Sequence, residues 1–263
     1  MPLVTPDHDR SPFAILPHPA IIAHRGSSAY APENTIAAFE LAIQQGADAI
    51  ELDVWLTRDE QVVVIHGPDL NRTTGVAGSV MTMNLPQLKA LDAGSYFDPA
   101  YKDERIPTLS EVFEAIGKKI VINIELKNYT SFSNALPDKV TEIVKKHRLG
   151  QWVFFSSFNP IAFRHIRSRL PETPTALLAL SGFKGWLSRS QVAQIFPYEA
   201  LHPYYEDVKP SLVKWLHKRN KRLHTYTVNQ ADDMKKLVEL QVDGLITNDP
   251  LLARRVISDY RHN

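Results

Sequence analysis

A chain of 263 residues, 44% hydrophobic and 22% charged, can bury a full globular core without disulfide or metal staples. Its 30 basic and 29 acidic residues leave a formal net charge of +1, so overall charge supplies no footprint for nucleic acid or a membrane surface. Cysteine is absent, which excludes disulfides, thiol catalysis and thiolate-bound zinc or iron–sulfur centres.

Residues 1–20 are rich in proline and show little periodicity, and read as an ordered lead-in or a mobile tail. Acidic residues precede the first apolar run, so no secretory leader is expected and a cytoplasmic protein is the expectation. The strand-like run IIAH (21–24) comes next, and Pro32-Glu33-Asn34 punctuates the chain before TIAAFELAIQQG. There Ile36, Phe39, Ala42 and Ile43 recur at helical spacing, with Gly46 as the C-cap. Ala49–Leu56 (AIELDVWL) is a second strand, whose Glu51 and Asp53 project from one face because they are two apart. QVVVIH (61–66) reads as a short extension of it. The stretch 67–105 then breaks the rhythm. It is longer than structureless loops usually run, which predicts a small inserted subdomain with structure of its own.

Alternation resumes beyond it. Thr108 and Glu111 have the spacing of a capping box for a helix through Ile116. IVINIEL and WVFFSS read as strands flanking a helix over 133–147, and a further helix begins near Pro160. TALLAL, YEALHP, LHTYTV and GLIT are the remaining strands, with helices near 189–195, 211–220, 232–240 and 249–260. Without the QVVVIH extension the strands number eight, each followed by a helix, which favours a (β/α)₈ TIM barrel as one domain over 1–263. An open doubly wound sheet shows the same alternation, but His24-Arg25-Gly26-Ser27-Ser28 lacks its glycine-rich fingerprint, and no Walker loop occurs.

Barrels of this kind carry their chemistry at the C-terminal strand ends. Those ends bring His24 and Arg25, Glu51 and Asp53, His66, and Glu125 and Lys127 to one mouth. Three carboxylates buried together are unfavourable without cations, so Glu51, Asp53 and Glu125 suit a hard divalent ion: magnesium, calcium or manganese. A zinc site through His24 and His66 fits less well. Arg25 and Lys127 suit an anionic substrate, and two histidines can divide base and acid work, so the set reads as metal-assisted phosphodiester cleavage. Each residue has a plainer explanation on its own. Glu51 and Asp53 can be edge-strand surface residues, His66 a core or turn histidine, and Glu125 with Lys127 a surface ion pair. Those explanations would have to hold at every strand end together. The remaining histidines read as tail or helix-surface residues, His18 and His217 among them, while His202 and His224 lie near enough to strands to border the pocket. Tyr226, His202 and Phe158 are placed in its wall.

An ordered set of motifs closely resembles the glycerophosphodiester phosphodiesterase family. It runs through His24-Arg25-Gly26, Pro32-Glu33-Asn34-Thr35, Glu51-Leu52-Asp53-Val54, His66, Arg72-Thr73-Thr74-Gly75, Glu125-Leu126-Lys127, Thr227-Val228-Asn229 and Thr247-Asn248-Asp249-Pro250. The resemblance implies a barrel enzyme that hydrolyses glycerophosphodiesters to glycerol 3-phosphate and an alcohol. It maps the metal ligands to Glu51, Asp53 and Glu125, the catalytic histidines to His24 and His66, and phosphate contacts to Arg25 and Lys127. It further implies magnesium or calcium, a small-molecule substrate, no nucleic acid, no stable membrane insertion, and a monomer or homodimer.

Two positions depart from the family pattern: Gly67 stands where an aspartate usually follows the second histidine, and Tyr226 where tryptophan is common. Asp69 is a candidate replacement for the missing carboxylate. The competing activities are a lysophospholipase D-like or sphingomyelinase D-like enzyme and a non-catalytic phosphodiester-binding barrel. The lipid activities would need an apolar groove beside the metal, for which Phe13, Ile15, Leu16, Phe97, Phe183 and Trp186 are the candidates.

Overall fold

The computed structural model describes residues 11–127 and 135–262. The first half of the expected lead-in and residues 133–134 of the expected helix lie outside the described residues.

Eight parallel strands close into a barrel: β1 (Ala20–His24), β2 (Ala49–Leu56), β4 (Val121–Leu126), β5 (Val153–Ser157), β6 (Thr175–Ala179), β7 (Ala200–Pro203), β8 (Arg222–Thr225) and β9 (Gly244–Thr247). β1 closes the ring by pairing with both β2 (Ile22 to Ala49) and β9 (Ile21 to Leu245). The extension β3 (Val62–Val64) runs back antiparallel along β2, with Val54 opposite Val64. Helices pack around the ring, among them Ile36–Gln44, Leu109–Ile116 and Pro250–His262. The Thr108–Glu111 capping box forms reciprocally, satisfying two amide donors that a helix start leaves open.

One expected helix is absent. The segment after β6 holds two short 3₁₀ turns, Gly182–Gly185 and Gln191–Ile195, in place of an α-helix near 189–195. Glycines and serines there favour turns over helix, and the Arg189 guanidinium fixes the local path by donating to the carbonyls of Leu180 and Gly182 and pairing with Asp207. The stretch 67–105 carries the helical turns Asn71–Thr74, Val80–Thr82, Leu85–Lys89 and Pro99–Tyr101. Leu70, Val80, Leu88 and Ala93 share an apolar cluster with Val63 and Ile65.

Strand alternation sets what fills the barrel. Ala20, Ala49, Ala176 and Ala200 point inward with Ile22, Val121, Phe154 and Ile246, and the small side chains leave room at the N-terminal end. Phe13, from the short helix Pro12–Ile15, enters that room and meets Phe154 edge-on at 4.9 Å. Burying a phenylalanine contributes about 1.5–3 kcal/mol, so the lead-in is a structural plug. Phe13 and Leu16 are therefore buried at the barrel bottom, with Ile15 packed partly against them, and none of the three borders the mouth. His18 and His217 also do more than decorate a surface: both contact the buried Asp243 carboxylate, at 3.0 and 2.9 Å, and tie the lead-in and a helix to the start of β9.

Candidate active site

At the opposite end, strand register assembles the polar groups. β2 and β4 pair so that Asp53 lies beside Glu125 and Glu51 beside Asn123, while β1 sets His24 beside Glu51. The strand period of two then turns Glu51, Asp53 and Glu125 into the same interior. All three are buried, and one oxygen from each lies within 4.8 Å of the others.

Positive charge is built in around them. Lys127 Nζ donates to Glu125 Oε1 at 2.7 Å and lies 2.8 Å from Asp53 Oδ1. The Arg25 backbone N–H donates to Glu51 Oε2 at 3.0 Å, and its side-chain Nε is 3.4 Å from Asp53 Oδ2. Burial alone would raise the Asp53 carboxyl, but Lys127 and Arg25 outweigh it and hold the group well below the usual carboxylate range. Glu51 goes the other way: burial, then the charges of Asp53 and Glu125, push its carboxyl well above the ordinary value. Its Oε1 is buried with no hydrogen-bond partner. Three hard oxygen donors gathered this closely suit one divalent ion, which binds carboxylate oxygens at about 2.0–2.6 Å. The acidic triad could therefore bind a divalent cation, and the orphaned Glu51 oxygen fits that use.

His24 ends β1 with its Nδ1 2.7 Å from Asn248 Oδ1 and its Nε2 4.0 Å from Glu51 Oε2. An amide oxygen only accepts, so with Asn248 in this orientation the ring carries its proton at Nδ1 and leaves Nε2 basic. Asn229 Oδ1 accepts from the Asn248 backbone N–H and so seats that partner. Burial, then the nearby Arg25 charge, lowers His24 to about 4. His66 is held down to about 4 chiefly by burial, with Asp53 pulling upward and Arg25 and Lys127 downward. Its backbone carbonyl accepts from Trp55 Nε1 at 3.1 Å.

The turn after β1 holds this corner together. Arg25 and Asn34 both have φ of +58°, and Gly26 has φ of +82°. A Cβ on Gly26 would come within 2.7 Å of the Ala38 backbone, so the loop closes onto its helix only with glycine there. Asn34 Nδ2 donates to Asp53 Oδ2 while its Oδ1 accepts from the Asp53 N–H. Glu33 pairs with Arg25, and Arg72 reaches it from the 67–105 stretch.

A cleft of about 320 Å³ is lined by His24, Arg25, Glu51, His66, Glu125 and Lys127, and by all three residues placed in its wall, Phe158, His202 and Tyr226. Tyr226 packs edge-on against Phe158 at 6.4 Å and near Tyr204, and its hydroxyl donates to the Ala179 carbonyl. His202 is fully buried at the cleft's inner end, against His224. Asp53 is buried behind the residues that line the cleft. Asp69 does not replace the carboxylate absent at Gly67: it is exposed, accepts from the Asn71 N–H and lies outside the lining. Sequence reasoning gave no role to Glu33, Asn34, Asn229, Asn248 or Tyr204, although all but Tyr204 sit in motifs it singled out.

Carboxylates suited to a cation, a neutral imidazole with a basic nitrogen, and cationic side chains at the C-terminal mouth of a TIM barrel define a barrel phosphodiesterase. The chain belongs to the Glycerophosphoryl diester phosphodiesterase family, which residues 24–252 match. It is 40% identical over 232 residues to a glycerophosphodiester phosphodiesterase of Caldanaerobacter subterraneus subsp. tengcongensis, covering 88% of this chain and 94% of that one. A Bacillus subtilis glycerophosphodiester phosphodiesterase is 32% identical over 255 residues, covering 91% and 86%. Among solved structures, an Oleispira antarctica phosphodiesterase in complex with its product sn-glycerol-3-phosphate superposes with a TM-score of 0.85 at 30% identity, covering 95% of this chain and all of that one.

Proposed function

We propose that this protein hydrolyses glycerophosphodiesters to sn-glycerol 3-phosphate and an alcohol, with one divalent cation held by Glu51, Asp53 and Glu125. The observation that carries the reading is the convergence of these three buried carboxylates, with Glu51 and Glu125 lining the same cleft as His24 and His66 and Asp53 directly behind them. The product named for the Oleispira antarctica protein supports the substrate class. Magnesium and calcium are the expected ions, with manganese an alternative, because the donors are all carboxylate oxygens. When bound, the cation would neutralise the triad and polarise a phosphoryl oxygen.

The chain's own groups divide the rest of the work. His24 Nε2 takes the proton of the attacking group while Asn248 holds the ring in the basic tautomer. Attack by water gives sn-glycerol 3-phosphate directly; attack by the glycerol 2-hydroxyl gives a cyclic phosphate that water then opens by breaking the bond to the 2-oxygen. As the new phosphorus–oxygen bond forms, the bond to the alcohol breaks, and His66 gives its proton to the departing oxygen. Arrival of a phosphodiester anion beside His66 favours the imidazolium form that this step requires. Arg25 and Lys127 place positive charge where the phosphoryl oxygens gain negative charge.

A second reading, lysophospholipase D-like hydrolysis, is favoured by one feature. Leu180 lines the cleft, and the following turn exposes Phe183 and Trp186. Phe97 is exposed but does not line the cleft. A metal-by-substrate panel separates the readings. Chelated enzyme is supplied with magnesium, calcium or manganese and offered glycerophosphocholine, glycerophosphoethanolamine, glycerophosphoglycerol or a lysophospholipid. Fastest turnover on the water-soluble diesters supports the proposal, and turnover of the lysophospholipid alone replaces it with the second reading. No turnover of any diester with any ion refutes both.

A further inference from the structure

Beneath the carboxylates the cleft ends in a floor that the proposed chemistry does not use. Asn123 on β4, Ser156 on β5 and His202 on β7 all line the cleft and are all buried to within 1% of full burial. Register places Asn123 beside Glu51, and Ser156 beside Glu125, so the floor adjoins the acidic triad directly. Both polar atoms of the Asn123 amide, the Ser156 hydroxyl and His202 Nδ1 lack a hydrogen-bond partner within the protein. Buried polar atoms are nearly always partnered, and four unpartnered ones around one cleft point to a ligand.

The chemistry of the floor narrows that ligand. His202 Nε2 is 3.1 Å from His224 Nδ1, so the second ring supports the first. His224 is itself locked: a Cβ on Gly244 would meet its Cδ2 at 2.8 Å, and Phe13 and Phe154 stand edge-on to it. Burial keeps His202 neutral, lowering it to about 3. An amide, a hydroxyl and a neutral ring nitrogen offer donors and acceptors but no charge. An alcohol hydroxyl, which both donates and accepts, answers such a set; an ammonium or a phosphate does not. A cationic head group finds better company at the aromatic wall of Phe158, Tyr204 and Tyr226.

We infer that Asn123, Ser156 and His202 form a subsite for the free hydroxyls of the substrate's glycerol half, seating the glycerol end inward of the acidic triad and leaving the alcohol to be released toward the aromatic wall. The inference rests on the functional reading above and assigns the substrate's direction within the cleft.

The test compares two ligands by calorimetry on metal-loaded enzyme: sn-glycerol 3-phosphate, and ethyl phosphate, which lacks the hydroxyls. Wild-type enzyme should prefer glycerol 3-phosphate by tenfold or more. Ser156→Ala should reduce that preference by about threefold or more, and Asn123→Leu by about five- to tenfold, in keeping with neutral hydrogen bonds. Ser156→Ala removes one oxygen only and keeps the test decisive if the asparagine variant does not fold. Equal affinity of the wild type for both ligands, or an undiminished preference in the serine variant, overturns the inference. Glycerophosphocholine turnover by the wild type is measured alongside. Its absence defeats the functional reading itself, and its presence with an undiminished preference defeats the subsite alone.

Discussion

Replacing Lys127 by methionine removes the one ammonium wedged between Asp53 and Glu125 while keeping the length of the side chain. Lys127 is only 7% exposed, and its Nζ lies 2.8 and 2.7 Å from the two carboxylates. At an effective dielectric of about 20, each contact carries roughly 6 kcal/mol of Coulomb attraction before desolvation is subtracted. Breaking a buried pair by removing one partner costs about 3–5 kcal/mol net, because the other charge remains buried. In chelator the Lys127→Met protein should therefore unfold roughly 10 °C below wild type. Adding magnesium or calcium should then stabilise the variant more than the wild type, since the ion replaces the lost charge; saturation at about 100 times Kd contributes about 2.7 kcal/mol. Differential scanning fluorimetry with and without the ion measures both effects, and diesterase turnover should still fall at least a hundredfold. Equal stability of the two proteins in chelator, or no larger ion-dependent gain in the variant, would refute the electrostatic reasoning.

Glu51→Gln and Glu125→Gln keep the shape of the triad but remove a donor charge each; divalent-ion affinity should drop tenfold or more by calorimetry, with most turnover lost. His24→Ala and His66→Ala should each lower kcat by about a hundredfold or more while leaving the far-ultraviolet circular dichroism unchanged, and normal rates in both would remove the histidines from the chemistry. Acid should weaken the fold through its buried histidines. His24 is lowered to about 4 and His202 to about 3, against about 6.5 in the unfolded chain. Their stabilising contribution is complete above about pH 6.5 and is lost as pH falls toward those folded values. At pH 5.0 each should already have given up about 2 kcal/mol relative to neutral pH. Histidine proton resonances followed by NMR in chelated enzyme should include at least three, those of His24, His66 and His202, that barely titrate between pH 7.5 and 5.0; ordinary midpoints for all ten histidines would contradict the burial argument.

The triad was legible because a strand's period of two announces which residues share a face: Glu51 and Asp53 alternate within β2, and Glu125-Leu126-Lys127 closes β4. The Thr108–Glu111 cap was legible because it is a local contact three residues apart. What escaped was built from long-range geometry or from unusual backbone. Asn34 clasps Asp53 only because the turn after β1 puts it at positive φ, and Asn248 meets His24 across the closure of β1 on β9. Phe13 sits in a proline-rich stretch with no periodicity, so nothing local marked it as the barrel's plug. The turn after β6 defied the expected helix because Arg189 satisfies backbone carbonyls from its side chain, a choice invisible in a repeat pattern. Likewise His202 and His224 are 22 residues apart, and only the β7–β8 neighbourhood brings their rings together.

If one cleft cleaves a glycerophosphodiester with the aid of a cation held by the acidic triad, turnover must depend on that ion. Phosphorus NMR of glycerophosphocholine incubated with chelated enzyme, before and after adding magnesium or calcium, tests it most directly. The diester resonance should persist in chelator and convert to sn-glycerol 3-phosphate once the ion is added, with conversion abolished in Glu51→Gln. Conversion at full rate in chelator, or none in either condition, would contradict the claim.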